Sequence, residues 1–189
     1  PGSKCIPGST APDECLPGSY AAGWRSEKCT ACPAGKFQPL TNATTCLVCT
    51  PGHHCNQGAA AALPCPGGTH MNASLTVMTS VEQCVVCKHG TFCAVGSDGE
   101  TLCAPGTYND QPHQQICKTC PAGEFQDESG ATACKPCTEG HYCKEGAAAA
   151  LPCAPGSYSN ATNLSSVDQC LPCPAGSSGL RPRQGRRPG

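Results

Sequence analysis

Large apolar side chains are scarce in this chain of 189 residues: leucine, isoleucine, valine and phenylalanine supply 22, methionine two and tryptophan one. The first four amount to about 12%, below the roughly 20% under which a chain usually cannot bury enough apolar surface to fold. No run of about 18 apolar residues occurs, so the sequence predicts no transmembrane helix. Pro1-Gly2-Ser3-Lys4 has neither the basic nor the apolar region of a signal peptide, so the chain reads as a mature or excised piece. Charge is also sparse. Arg181, Arg183, Arg186 and Arg187 hold four of the twelve basic residues, and the rest of the chain is mildly acidic, which argues against a nucleic-acid partner. Arg183-Gln-Gly-Arg-Arg187 resembles a processing site, although a solvated basic tail is the commoner explanation.

What is abundant is cysteine, with 20 residues, alongside 22 glycines and 19 prolines. Cysteine above roughly 8–10% marks a disulfide scaffold, in which covalent staples replace the missing core by restricting the unfolded chain. Persistent cystines need an oxidising compartment, so the chain is expected at the cell surface or outside the cell.

The cysteines recur. A shift of 88 positions superposes Cys5, Cys15, Cys29, Cys32, Cys46, Cys49, Cys55 and Cys65 on Cys93, Cys103, Cys117, Cys120, Cys134, Cys137, Cys143 and Cys153. Only the next pair slips, by two residues. A period of this kind is the signature of a repeat architecture. It divides the chain into a first superrepeat at 1–87, opening on a partial unit, a second at 88–175, and a basic Pro/Gly-rich tail at 176–189.

Two segment types alternate. One runs from a Cys through a short Pro/Ala/Gly stretch and an aromatic into a polar tract. The other is a tight loop, as in Cys49 to Cys55, Cys87 to Cys93 and Cys137 to Cys143, followed by a connector that is twice Gly-Ala-Ala-Ala-Ala-Leu-Pro. These alanine runs are too short for an isolated helix, and the proline after Leu63 and Leu151 favours extended geometry. All seven Tyr and Phe residues stand two places after a glycine, where a positive-φ turn lets the ring cover the nearby cystine. His54 and His70 share that offset and read as replacements for the aromatic. The fold class predicted is therefore small disulfide-rich repeats, an elongated rod of tandem cysteine-rich modules with short two-stranded pieces and almost no helix.

Six CxxC pairs could suggest zinc or redox chemistry. The single cysteines that alternate with them fit no four-thiolate site, and no βαβ context for a redox motif is present, so no metal or cofactor is expected. Asp98/Glu100 and Glu124/Asp127/Glu128 read as solvated loop charges, no catalytic constellation is found, and the chain reads as non-enzymatic. Four sequons, at Asn42, Asn72, Asn160 and Asn163, lie in the polar tracts and predict covalent N-glycans. Asn42 and Asn72 in particular are expected to carry glycans on solvent-facing side chains.

The pattern Cys-Pro-Ala-Gly-x-Phe-Gln, a second Cys after thirteen residues and CxxC at the boundary resembles the ephrin-receptor-like cysteine-rich repeat. It is also similar to modules of tumour-necrosis-factor receptors and growth-factor receptors. The resemblance runs from Cys5 to about Gly179 and implies an extracellular location and a modular architecture.

Pairing between sequence neighbours is expected: Cys15–Cys29, Cys32–Cys46, Cys49–Cys55, Cys65–Cys84, Cys87–Cys93, Cys103–Cys117, Cys120–Cys134, Cys137–Cys143 and Cys153–Cys170. Each encloses one loop type and the scheme survives the 88-residue shift, with interleaved pairing as the rival. Cys5 and Cys173 are left over. Each is half of a tight-loop cystine, so either the array continues beyond both ends or copies join head to tail through them. The leading functional expectation is a structural glycoprotein of a cell-surface or matrix filament. The alternative is a receptor ectodomain that binds a protein ligand, for which Trp24 is the one large unique anchor.

Overall fold

The structure is a computed structural model that describes residues 1–175; the basic tail at 176–189 lies outside the described residues. Ten two-stranded antiparallel sheets follow one another along the chain. In order they pair Ser3–Lys4 with Asp13–Glu14, Ser19–Tyr20 with Thr30–Ala31, Lys36–Phe37 with Leu47–Val48, His53–His54 with Leu63–Pro64, and Thr69–His70 with Val85–Val86. Thr91–Phe92 with Thr101–Leu102, Thr107–Tyr108 with Lys118–Thr119, Glu124–Phe125 with Lys135–Pro136, His141–Tyr142 with Leu151–Pro152, and Ser157–Tyr158 with Leu171–Pro172 complete the series. They are called hairpins one to ten below. Among the described residues there is no α-helix, only the 3-10 turns Val81–Gln83 and Val167–Gln169.

Local chemistry fixes each hairpin. In the second, Ser19 N–H donates to Leu16 O at 3.1 Å across Pro17-Gly18, and Gly18 takes φ of 84°. That is a type II turn, with proline supplying the first central residue and glycine the left-handed second one. The chain leaves this turn as the first strand. It returns so that the N–H of a cysteine donates to the turn glycine's carbonyl, as in Cys32 to Gly18 and Cys49 to Gly35, at 2.8 and 2.9 Å.

This register explains the CxxC spacing without metal or redox chemistry. The two residues inside each pair, such as Thr30–Ala31 or Leu47–Val48, are the returning strand. The first cysteine staples the hairpin that is ending, and the second opens the next. The tight loops and their Ala-rich connectors build the same unit. Cys55 follows the strand His53–His54, and the connector comes back extended as Leu63–Pro64.

Eight cystines have the neighbour-to-neighbour connectivity: Cys15–Cys29, Cys32–Cys46, Cys49–Cys55, Cys65–Cys84, Cys87–Cys93, Cys120–Cys134, Cys137–Cys143 and Cys153–Cys170. Their Cα atoms are 5.5 to 6.3 Å apart, inside the usual span of a disulfide. Cys103 and Cys117 are disulfide-bonded as well, and interleaving is excluded for the eight. The sulfur atoms are the interior: ten of the cysteines, among them Cys15, Cys32, Cys65 and Cys120, have no exposed surface. Met78, fully buried, and Leu164, 5% exposed, are the large apolar side chains that join them.

Those two residues account for the slip in the superperiod. Met78 lies six residues before Cys84, and Leu164 six before Cys170. Each stretch closes through the same Ser-x-x-Gln turn, in which Gln83 Oε1 accepts from Thr79 N–H at 2.6 Å and Gln169 Oε1 from Ser165 N–H at 2.7 Å. The two extra residues of hairpin five therefore sit upstream of the apolar plug, between the strand Thr69–His70 and Met78.

The described chain forms two compact units, Pro1–Leu102 with Gln111–Cys117, and Cys103–Asp110 with the segment from Lys118 on. This division follows spatial contact, whereas 87/88 follows sequence copy.

Candidate functional site

The recurring feature of the fold is how main chain meets main chain between hairpins. The turn glycine's N–H is not used within its own hairpin. Gly2, Gly18 and Gly35 donate to Ala21 O, Gln38 O and Cys55 O in the next one, each at 2.8 Å, and Gly106 and Gly123 donate likewise to Gln126 O and Cys143 O in the second unit. In return, a loop residue with left-handed backbone donates to the cysteine carbonyl that opens the preceding hairpin. Asn42 reaches Cys15 O, Gly58 reaches Cys32 O, His113 reaches Cys87 O and Asn163 reaches Cys137 O, at 2.8 to 3.0 Å.

That same loop residue reaches two hairpins back. A Cβ built on Gly2 would overlap the carbonyl of Asn42, one on Gly18 that of Gly58, one on Gly52 that of Gly96, and one on Gly68 that of His113. In the second unit Gly106 lies under Gly146, and a Cβ on Gly123 would come 2.6 Å from Asn163 O. Gly35 follows the rule with a side chain, Val77 Cγ2, at 3.0 Å. The turn glycines are thus seats for loops two hairpins later, and no other residue leaves room for the carbonyl.

Two of the four sequon asparagines are such seated residues. Asn42 has φ of 56° and Asn163 of 62°, and both side chains are exposed. Asn42 is exposed but engaged: its Nδ2 donates to Glu14 Oε1 at 2.7 Å, and its Oδ1 accepts from Ser3 Oγ at 3.2 Å. Asn72 is half-buried, with Oδ1 accepting from Ser74 N–H at 3.0 Å, while Asn160 is exposed. Cys5 is exposed and Cys173 half-buried, and both are free thiols. His54 and His70 do occupy the aromatic position, as the second residue of the outgoing strand.

Sequence reasoning missed the residues that close two of the thirteen-residue loops, Cys32 to Cys46 and Cys120 to Cys134. Gln38 and Gln126, 88 positions apart, are 6% and 3% exposed. Gln38 Nε2 donates to Thr45 O and its Oε1 accepts from Leu40 N–H; Gln126 does the same with Ala133 O and Glu128 N–H, at 2.7 and 3.0 Å. The Phe-Gln pair in the repeat motif was the available signal.

One acidic residue also differs from its sequence reading. Glu100 is not a freely solvated charge: its side chain is 23% exposed, its carboxylate accepts from Lys88 N–H at 3.1 Å, and His70 Nε2 lies 3.8 Å away. Asp127 and Glu128 are surface charges, both facing Lys135 at 2.6 and 3.5 Å. The hydrogen bond from Lys135 holds the Asp127 carboxyl below its usual range and raises the Lys135 ammonium; Asp110 raises Lys118 in the same way.

A surface groove lined by Lys4, Asp13, Glu14 and Leu16 lies beside the first two hairpins. Trp24 stands out from the loop of the second, 83% exposed. Among the described residues no cluster of three or more His, Cys, Asp or Glu side chains could hold a metal ion. Among them, too, no helix is long and apolar enough to cross a membrane. No family model matches the chain, and no curated protein matches it.

Proposed function

We propose that the chain is a non-enzymatic structural glycoprotein, a disulfide-stapled repeat segment of an extracellular or cell-surface filament. The observation that carries this reading is the repetition of one main-chain connection from hairpin to hairpin: turn glycine N–H forward, loop N–H backward, and a glycine seat two units away. An array whose units present equivalent surfaces to their neighbours has no built-in stop, whereas ligand recognition needs a unique anchor patch. Nine cystines support the extracellular assignment, because they persist only under oxidising conditions. The resemblance to ephrin-receptor-like repeats agrees with both points. N-glycans at Asn42, Asn72, Asn160 and Asn163 would give the array a hydrophilic coat.

Sedimentation velocity of the purified chain over a rising concentration series tests the proposal, with concentration-dependent growth into larger species as the expected result. A strictly monomeric chain at every concentration would overturn it. Trp24 is the observation that favours the receptor reading, and that reading predicts a monomer whose saturable binding to a cell surface is abolished by Trp24→Ala.

A further inference from the structure

One groove recurs between consecutive hairpins, filled at one place and open at another. Between hairpins two and three it is lined by Tyr20, Pro33, Lys36, Thr45 and Cys46, with a volume of about 70 Å³. Between hairpins one and two it is lined by Lys4, Leu16, Ser19 and Cys29, joined by Asp13 and Glu14, and the volume is about 440 Å³. The two correspond position by position. Leu16 and Pro33 follow the cysteine that opens a hairpin, Ser19 and Lys36 follow its turn glycine, and Cys29 and Cys46 close it. Lys4 and Tyr20 each end the outgoing strand of the hairpin before it. A lysine therefore stands where every later hairpin sets an aromatic ring or an imidazole, and the space such a ring would fill is open. Hairpin one lines no part of the smaller groove, so a groove of this kind is built by two consecutive hairpins without the one that precedes them.

The open groove has an asparagine at its rim. Asn42 N–H donates to Cys15 O at 3.0 Å, and Cys15 is bonded to Cys29 in the groove wall. Asn42 Nδ2 donates to Glu14 Oε1 at 2.7 Å, and Glu14 belongs to the same wall. At the smaller groove the equivalent seated residue is Gly58, which donates to Cys32 O and has no side chain to modify. The enlarged groove and the sequon Asn42-Ala-Thr44 thus occur together.

From this coincidence, and resting on the glycoprotein reading above, we infer that the groove is the binding site for the first N-acetylglucosamine of a glycan on Asn42. An asparagine amide nitrogen carries two hydrogens; glycosylation replaces one and leaves the other to hold Glu14. The sugar ring then begins one bond from an atom that already touches the wall. Its acetamido N–H is a donor for the Asp13 carboxylate, and its hydroxyl oxygens are acceptors for Lys4 Nζ. Ser19 Oγ, which already donates to Leu16 O at 2.8 Å, accepts from a sugar hydroxyl. The apolar face of the pyranose covers Leu16, 68% exposed, and the Cys15–Cys29 cystine. Sugar thereby does for this cystine what the Tyr20 ring does beside Cys46.

The experiment uses the whole chain, isotope-labelled, secreted from a eukaryotic host and trimmed by an endoglycosidase to single N-acetylglucosamine residues. Nuclear relaxation of the acetamido groups is the readout. The Asn42 sugar should show an order parameter near the value of about 0.85 that marks rigid backbone. Lys4→Tyr sets the ring of the later hairpins into the groove and should lower that value below about 0.6, leaving the Asn72 sugar as it was. Thr44→Ala removes the Asn42 sugar but keeps the asparagine, and should shift the amide resonances of Glu14, Leu16 and Ser19. An Asn42 sugar that is mobile in the unaltered chain, or that ignores Lys4→Tyr, overturns the groove as its site and leaves the glycoprotein reading standing. Peptide mass that finds Asn42 bare while other sequons are occupied removes the occupant alone, and four bare sequons sink the glycoprotein reading with it. Should Lys4→Tyr fail to be secreted, Thr44→Ala decides: unchanged resonances at Leu16 and Ser19 refute the binding.

Discussion

Gly123 lies beneath the carbonyl of Asn163, a residue two hairpins later in the chain, with 2.6 Å between that oxygen and the Cβ that glycine lacks. Gly123→Ala should therefore lose stability through both backbone strain and displacement of the Asn163 loop, on the order of 2–4 kcal/mol. At Gly156, with φ of 83° and nothing within 4 Å of a Cβ among the described residues, the strain acts alone, and the same substitution should cost only about 1–2 kcal/mol. Thermal unfolding of the two variants under non-reducing conditions checks the difference, and equal shifts would refute the seat.

Cys32–Cys46 closes a loop with a separation of 14 residues. Replacing both cysteines by serine should release about 3 kcal/mol of chain-entropy stabilisation. Hydrogen exchange should show the loss at hairpin three and its neighbours on either side, because each hairpin shares backbone bonds only with those near it. Uniform deprotection of both units would contradict this.

Enzymatic deglycosylation of chain secreted from a eukaryotic host should lower its mass by whole glycans, with Asn42 and Asn72 among the occupied sites. At Asn42 the two consequences of mutation separate. Asn42→Gly removes the sugar and the side-chain hydrogen bonds to Glu14 and Ser3 but keeps the left-handed loop, so it should cost only about 1 kcal/mol, whereas Asn42→Val should add about 1–2 kcal/mol from positive φ. Occupancy is read by mass spectrometry, and stability by melting temperature.

Gln126 holds its loop from inside, with both ends of the amide bonded to backbone. Gln126→Leu should leave Ala133 O and Glu128 N–H without partners and cost about 1–3 kcal/mol. The Glu128 amide should exchange faster, and an unaltered rate there would exclude the role.

Charge contributes at the edges of the pH scale. The Asp127 pKa is depressed by its hydrogen bond with Lys135, so the stability it adds is present above its ordinary value of 3.8 and is lost as pH falls through the lower folded value. The Lys135 pKa is raised, so its share is complete below 10.5 and is lost as pH rises through the higher folded value. Between those limits this pair should give a flat profile, with a small effect because both groups are at the surface. Carboxyl titration by NMR in wild type and Lys135→Met checks the sign: the variant's Asp127 should titrate at higher pH.

The cysteine frame carried most of the fold in its spacing, since a hairpin with a type II turn needs Pro or Ala, Gly and a closing Cys at fixed offsets, and all are visible in one dimension. Gln38 and Gln126 were less legible because a buried amide that binds loop backbone looks like any polar loop residue. The glycine seats were invisible for a different reason. Pairing Gly18 with Gly58, or Gly52 with Gly96, involves backbone atoms alone, so no side-chain identity announces it beyond glycine itself, which the turn already explains. Glu100 was misread because its partners, Lys88 and His70, become neighbours only once hairpins five and six are stacked.

The connectivity has a consequence for how the chain acquires its structure. None of the eight cystines above spans more than 19 residues, so each hairpin can oxidise soon after it is synthesised, and, with Cys5 set aside, each closing cysteine finds its correct partner in the nearest unpaired thiol behind it. Order of emergence thereby substitutes for a folding nucleus. Each newly closed hairpin is nevertheless held only loosely until the hairpin two places behind it arrives and lays its carbonyl on the waiting glycine. Synthesis of such an array would trail a short, renewable zone of incomplete structure behind the exit site, within which an oxidoreductase or a glycan-transferring enzyme has access to loops that are later closed.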